Sequence, residues 1–490
     1  MNLFGQKDKK PSMVMGNEKI YPMTYGGAQV EGISRDAVLN PFDLSVVGYS
    51  SVASLDQLDD AVRCARKAFE SWSTRPDSQR AEACLKIAKV FEDNAQELSR
   101  LITQEQGKPL NAGGFGSGFE VGGCIGWCRA TSILKIDDKK ILDADGVTVI
   151  QKSVPMGVIG SITPWNWPLL IAVWHFIPAI RTGNTVIIKP SPLTPLSTLR
   201  AVELINEVLP PGVLNVVPGG AEIGAAISSH ADIDKVVFTG STATGRRVMA
   251  SASENITPCS LELGGNDAAI VLPGAPVAAM APGLFFGKFI NAGQTCGSIQ
   301  RLYVHESDYE AVCSALVELA KTTNVGDGLL PDTDLGPVQN KAQFEKVREM
   351  VGDAIKQGAQ LLVGGESIGE GYALTPAILS HCTHDMEIVA KEQFGPALPI
   401  VKYSSIDQAI AMANSTDSGL CASVWGTDPD LLQSVSDRLI AGTVYINTHA
   451  ELNPMVPFGG VKQSGIGVLF GEDGLKSFVN TKILYQRSVG

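Results

Sequence analysis

The chain has 490 residues, 44% of them hydrophobic and 18% charged, with 51 glycines and 27 prolines. It is too apolar for disorder, too aperiodic for a fibre and too long for a single hydrophobic core. The 39 Lys and Arg against 51 Asp and Glu leave a net charge of −12 with no long basic run, which excludes the electrostatics of nucleic-acid binding.

The first residues, MNLFGQKDKKPSMVMGNEKI, carry no apolar core of signal-peptide length. The most apolar run, Pro168 to Ile180, is interrupted by His175 and Pro178, so neither secretion nor a membrane span is expected. From about Ser54 to Gln104, apolar residues recur at helical spacing among charges, predicting amphipathic surface helices. Cys124 and Cys128, four apart beside Trp127, are read as buried small side chains of another helix, without chemistry. ILDADGVTVIQKSVP then reads as a hairpin about an Asp145-Gly146 turn.

From residue 157, short β-branched runs alternate with helix-length segments: GVIGSITP, LLIAVWHFIPAI, TVIIKP, LSTLRAVELINEVL, LNVVPGG and KVVFTGS. That alternation predicts a parallel, doubly wound sheet whose ligands collect beyond the carboxyl ends of the strands. Pro164-Trp165-Asn166, Lys189-Pro190-Ser191, Pro218-Gly219-Gly220 and Thr239-Gly240-Ser241 fall at those ends and outline one crevice. A second α/β block, roughly Glu262 to Lys462, reads as a separate domain facing the first. The tail SFVNTKILYQR alternates as an edge strand does, which invites pairing with another subunit.

Four features could carry chemistry. Gly240 to Gly245, GSTATG, follows a strand and opens a helix, so it is either a phosphate cradle or simply a turn. Lys189 ends an apolar strand, where a lysine is costly unless it binds ribose or phosphate. Cys296 lies among small and polar residues in NAGQTCGS, the setting of a reactive thiolate rather than a packing cysteine. Glu262 ends a strand ahead of Leu263-Gly264-Gly265, where desolvation would raise its pKa toward that of a general base. The nine cysteines are odd in number and scattered, so they read as reduced, cytoplasmic thiols and not as a disulfide framework. His381-Cys382-Thr383-His384 lacks a partner pair and reads as a solvated loop, and no metal is expected.

In order, PWNWP (164–168), IIKPSPLTP (187–195), FTGSTATG (238–245), LELGG (261–265), GQTC (293–296), KEQFGP (391–396) and PFGGVKQSG (457–465) resemble the aldehyde dehydrogenase superfamily. The resemblance runs from about residue 35 to the end. It implies an α/β fold: a doubly wound Rossmann-type cofactor domain (1–130 and 151–261), an α/β catalytic domain (262–463) and a small β oligomerisation extension (131–150 and 474–490). It makes Cys296 the nucleophile, Asn166 with the Cys296 backbone N–H the oxyanion donors, and Glu262 the base that activates the hydrolytic water. For the cofactor it implies Lys189 at the adenosine ribose, Trp165 and Ser241 at the pyrophosphate, Glu392 at the nicotinamide ribose and Phe394 against the nicotinamide. Ser191, Gly240 and Gly245 complete that set.

One position departs from the family pattern. Where many NAD-preferring relatives carry a glutamate three residues after the lysine, this chain has Pro192, and no arginine stands beside Lys189 in sequence. NAD is therefore expected, with NADP also open. The resemblance assigns the substrate tunnel to Trp167, Ile171, Trp174, Thr295, Leu452 and Phe458, an apolar wall that predicts neutral aliphatic or aromatic aldehydes. The expected protein is a cytoplasmic homodimer or homotetramer that acts on a small-molecule aldehyde and associates with neither nucleic acid nor membrane. The rival readings are a CoA-acylating semialdehyde dehydrogenase, which Glu262 argues against, a silent structural relative, and a thiol esterase.

Overall fold

The computed structural model describes residues 19–111 and 116–488. The N-terminal segment discussed above, and with it the start of the expected cofactor domain, lies outside the described residues, as does the very end of the expected extension. An eight-stranded sheet runs in the order Gly465–Ile466, Cys259–Glu262, Lys235–Thr239, Val158–Ile162, Thr185–Lys189, Leu214–Val216, Met23–Tyr25, Ala28–Val30. Its five central strands pair in parallel and its outer strands antiparallel.

The sequence explains why this sheet sits at the centre. VIGSI, TVIIK and KVVFT are buried along their whole length, as strands covered on both faces must be. Val158, Ile187, Val236 and Phe238 pack with Leu58, Val62 and Ile227 on one face. Ile159, Val186, Ile188 and Val237 pack on the other, with the helix Pro168–Arg181. That helix is buried at every one of its 14 residues and continues through His175 and Pro178, the two positions that break its apolar run. His175 is accommodated because Ser161 Oγ lies 2.9 Å from its Nδ1 and Thr239 Oγ1 2.9 Å from its Nε2, and burial pulls its pKa down to about 3, leaving the ring neutral.

The chain visits the central strands outward from Val158–Ile162 through Thr185–Lys189 to Leu214–Val216. It then crosses back to Lys235–Thr239 and Cys259–Glu262. The winding reverses between Val158–Ile162 and Lys235–Thr239, and the loops after those two strands, Thr163 to Asn166 and Gly240-Ser241, open the crevice that such a reversal creates.

A second sheet of seven strands, in the order Gln360–Val363, Ala377–Cys382, Ala397–Tyr403, Ile299–His305, Asp267–Val271, Cys421–Trp425, Thr443–Ile446, is parallel except at the first pair. His381 and Cys382 close a strand of this sheet instead of lying in a solvated loop, and His384 bridges the Tyr303 hydroxyl and Ser415 Oγ. The 139–155 hairpin forms as expected, with Asp145 and Gly146 at positive φ in its turn. The tail strand Val479–Arg487 joins it as an antiparallel edge. Gly465–Ile466 returns to pair with Leu261 and Glu262, so the chain rejoins the first sheet just after the PFGG segment.

Candidate active site

Glu262 is the last residue of its strand and is 5% exposed, with neither carboxylate oxygen hydrogen-bonded. Burial pushes its pKa well above the usual carboxylate range. The two glycines that follow are required by crowding. A Cβ at Gly264 would stand 2.6 Å from Glu392 Oε2, and one at Gly265 only 2.2 Å from the Cys296 carbonyl oxygen. The glycine pair thus lets Glu262, Cys296 and Glu392 converge, and the Gly265 N–H donates to Glu392 Oε1 at 3.2 Å.

Cys296 stands three residues before the Ile299–His305 strand, at the entering end of the second sheet and opposite the leaving end of the first. The short turn ahead of it holds Asn291 and Ala292 at positive φ. Its thiol pKa is not depressed, as a thiolate setting would require, but pushed up to about 12 by burial and by Asp267, Glu392 and Glu262. Arg301 offsets Asp267, and Lys346 and Lys288 offset Glu392, only in part, so the group remains a thiol that needs a base. Asn166, 3% exposed, donates from Nδ2 to the Gln294 carbonyl at 2.9 Å. Its second amide N–H is left over for the cavity it shares with Cys296.

Three cavities meet in sequence. The first, about 490 Å³, is lined by Trp165, Lys189, Ser191, Pro192, Gly240, Ser241 and Arg247 among others. The second, about 180 Å³, shares Trp165, Gly240 and Ser241 with the first and adds Asn166, Glu262, Cys296, Glu392 and Phe394. The third, about 80 Å³, shares Cys296 with the second and is walled by Trp167, Ile171, Trp174, Thr295, Leu452 and Phe458. Cys296 is therefore the residue at which a polar path from Lys189 meets an apolar pocket. Of the catalytic, cofactor and substrate residues that the resemblance assigns, only Gly245 lines none of the three cavities. A Cβ there would meet Leu263 Cδ2 at 2.5 Å, so this glycine seats its helix against the loop after Glu262.

The first two cavities fit a dinucleotide. Lys189 Nζ donates to the carbonyls of Pro190 and Gly219, both at 2.9 Å, and has no carboxylate partner. One of its protons is left over, and burial lowers its pKa to about 8. Beside it the 11-residue helix Thr242–Ala252 begins at Ser241, whose Oγ accepts from the Thr244 N–H, so a helix N-terminus faces the same space. Trp165 and Phe394 meet edge to face, with ring centroids 5.4 Å apart, and close the inner end.

Sequence reading missed part of these walls. Arg247 lines the Lys189 cavity two residues beyond the Gly-rich segment, so an arginine does stand near Lys189 in space although none does in sequence. The apolar pocket also includes Phe119, Trp127, Leu170, Ile290, Cys421 and Tyr445. Trp127 and Trp174 both meet Phe470 edge to face, with centroids 5.2 and 4.9 Å away. The helical spacing of Cys124 and Cys128 beside Trp127 signalled burial, but not that the buried face also borders a pocket.

The family model of the aldehyde dehydrogenase family matches residues 30–484. An aldehyde dehydrogenase of Davidiella tassiana is 39% identical over 452 residues, covering 91% of this chain and 90% of the relative. The solved NAD+ complex of an aldehyde dehydrogenase from Bacillus cereus superposes with a TM-score of 0.93 at 35% identity, over 96% of this chain and 97% of that one. Betaine aldehyde dehydrogenase from Staphylococcus aureus, also solved with NAD+, gives a TM-score of 0.91 at 31% identity over 95% and 94%.

Proposed function

We propose, from the premise that the chain belongs to the aldehyde dehydrogenase family and is an NAD(P)-dependent aldehyde oxidoreductase, that Cys296 is its nucleophile and neutral aldehydes its substrates. The observation that carries this reading is the position of Cys296 between an apolar pocket and a cavity holding a buried, unpaired carboxylate.

The Cys296 thiol, protonated at neutral pH, gives its proton to Glu262 and adds to the aldehyde carbon as thiolate. The free Asn166 amide N–H and the Cys296 backbone N–H hold the oxyanion of the resulting thiohemiacetal. A bound nicotinamide would supply the hydride acceptor that this carbon needs to reach the thioester level on Cys296. Glu262 releases the thiol's proton to solvent and then draws a proton from water, which attacks the thioester carbonyl; the carboxylic acid departs and that second proton returns to the Cys296 sulfur, restoring the thiol. Lys189 and Ser241 would hold the cofactor's ribose and phosphates, and Glu392 and Phe394 its nicotinamide half.

Lys189 and Arg247 line the outer cavity together, and no carboxylate lines it with them. That supports NAD as cofactor with NADP also accepted, because no acidic side chain opposes a 2′-phosphate there. The apolar pocket, with no Lys or Arg in its wall, supports neutral aliphatic or aromatic aldehydes over carboxylated or phosphorylated ones. The nine cysteines are all free, in keeping with a cytoplasmic enzyme. None of the described helices is long and apolar enough to cross a membrane. The three-stranded sheet ending in Val479–Arg487, with Ile483 and Tyr485 exposed, is the surface proposed to pair subunits.

The test is a panel of hexanal, benzaldehyde and carboxylated semialdehydes, each with NAD and NADP, with products analysed with and without CoA. Free carboxylic acid from the neutral aldehydes is expected. A CoA thioester as product, or a carboxylated semialdehyde with kcat/KM well above hexanal, would overturn the reading.

A further inference from the structure

Behind the catalytic loop lies an ion pair that the chemistry above does not use. Lys108 follows the helix Ala95–Gln106, and Glu120 sits in the first turn of the helix Ser117–Ile133. Their side chains are 1% and 0% exposed, with Lys108 Nζ 2.5 Å from Glu120 Oε2. Burying such a pair is costly, and apolar side chains of similar volume would join two helices at least as well. Its geometry supplies the reason for keeping it, because Lys108 also binds the backbone of the loop that carries Asn166, and Glu120 the first turn of the helix into which that loop runs.

Lys108 Nζ donates to the Asn166 carbonyl at 2.9 Å and lies 3.4 Å from the centroid of the Trp167 ring. Glu120 Oε1 accepts from the N–H groups of Leu169 and Leu170 at 2.9 and 3.1 Å. Those donors open the helix Pro168–Arg181, whose own N-cap, Trp167, supplies no side-chain cap. A carboxylate from a different helix does that work, on the end where the helix dipole favours it. The far side of the loop is fastened to the nucleophile's strand entry. Asn291 Nδ2 donates to the Asn166 carbonyl at 2.8 Å, Asn166 Nδ2 to the Gln294 carbonyl, and the Trp167 indole to Thr295 Oγ1 at 3.0 Å. Asn166 is thus clamped between the ion pair and the turn that ends in Cys296.

We infer that Lys108 and Glu120 are positioning residues for oxyanion stabilisation: they hold the Asn166 backbone so that its amide N–H meets the charge developing on the aldehyde oxygen beside Cys296. This rests on the reading of Asn166 as an oxyanion donor, and the test separates the two.

The variants are Lys108→Met, the charge-free pair Lys108→Met with Glu120→Gln, Lys108→Arg and Asn166→Ala, with Lys108→Met also made in the Asn166→Ala background. Loss of an oxyanion donor costs roughly 10²–10³-fold in kcat, and a displaced donor is expected to cost about 10–100-fold. The expected result is that loss in kcat for Lys108→Met and for the charge-free pair, with KM for aldehyde and Kd for cofactor within about threefold and partial recovery in Lys108→Arg. In the Asn166→Ala background, Lys108→Met should cost less than about threefold, because the group it positions is gone. An equal loss in both backgrounds, or a loss that only follows the folded fraction, would overturn the proposal while leaving Asn166 in its role. An Asn166→Ala enzyme that turns over like wild type would overturn the oxyanion reading, and the proposal with it. Failure of both Lys108→Met and the charge-free pair to fold would make the pair a folding element and overturn it as well.

Discussion

Replacing Glu262 with Gln changes one proton-accepting group and almost nothing else. The side chains are nearly isosteric, and neither Glu262 oxygen has a hydrogen bond to lose. The strand that carries it is held by backbone pairing to Lys235–Thr239 and Gly465–Ile466, which the substitution leaves alone. Proton transfer by a positioned general base contributes about 10²–10⁴-fold to rate, or about 3–5 kcal/mol at 1.36 kcal/mol per tenfold. Because Glu262 serves both the thiol and the hydrolytic water, the full range falls on kcat. The assay is steady-state formation of reduced cofactor with hexanal, beside cofactor affinity by fluorescence titration. A kcat down by about 10²–10⁴-fold with Kd for cofactor within twofold is expected, and activity should recover partly as hydroxide rises. A kcat within tenfold of wild type would refute the assignment. The same variant has a stability signature. The folded state raises the Glu262 pKa, so the stability this group contributes is present below the usual carboxylate range and is lost as pH rises toward the folded value. The Tm of Glu262→Gln relative to wild type should therefore increase between pH 5 and pH 8, and a constant difference would contradict the burial argument.

Three further outcomes follow from distances and walls. Gly265→Ala would place a Cβ 2.2 Å from the Cys296 carbonyl oxygen, so kcat should fall by up to about 10²-fold, the rough cost of an ångström-scale misplacement, with a lowered Tm; wild-type kinetics would show that the loop yields freely. Arg247→Ala should weaken NADP binding by about five- to tenfold, the loss of one charge-assisted contact, and leave NAD within twofold; equal effects on both, read by titration, would remove Arg247 from any role at a 2′-phosphate. Trp174→Ala should enlarge the 80 Å³ pocket and shift preference toward bulkier aromatic aldehydes, at a stability cost of about 3–5 kcal/mol; an unchanged kcat/KM ranking across the panel would place the substrate elsewhere.

The parallel, doubly wound sheet was legible because VIGSI, TVIIK and KVVFT are short, β-branched and separated by helix-length runs. The loops at their ends, with Trp165, Asn166, Lys189 and Ser241, followed from that pattern. Residues that act through tertiary approach were harder to see. Arg247 lies on the helix two residues past the Gly-rich segment, where a sequence pattern shows only a surface arginine. Gly245 reads as part of a phosphate cradle, yet its missing Cβ makes room for Leu263. Lys108 and Glu120 are both charged, a composition that predicts exposure, and only their mutual contact makes burial tolerable. The thiol of Cys296 differs from its sequence expectation for a similar reason. Its small, polar neighbours suggested an activated thiolate, but the carboxylates that raise its pKa come from positions 262, 267 and 392. Helix Pro168–Arg181 tolerates His175 because Ser161 and Thr239, on two different strands, reach both ring nitrogens.

The central claim is that Cys296 forms the covalent bond to the aldehyde. Its most direct test is reduced-nicotinamide formation from hexanal and benzaldehyde, with NAD and with NADP, by wild type and by Cys296→Ala at matched cofactor occupancy. Turnover in wild type and none in the variant, with cofactor binding retained, is the predicted result. Turnover that survives in Cys296→Ala would contradict the account.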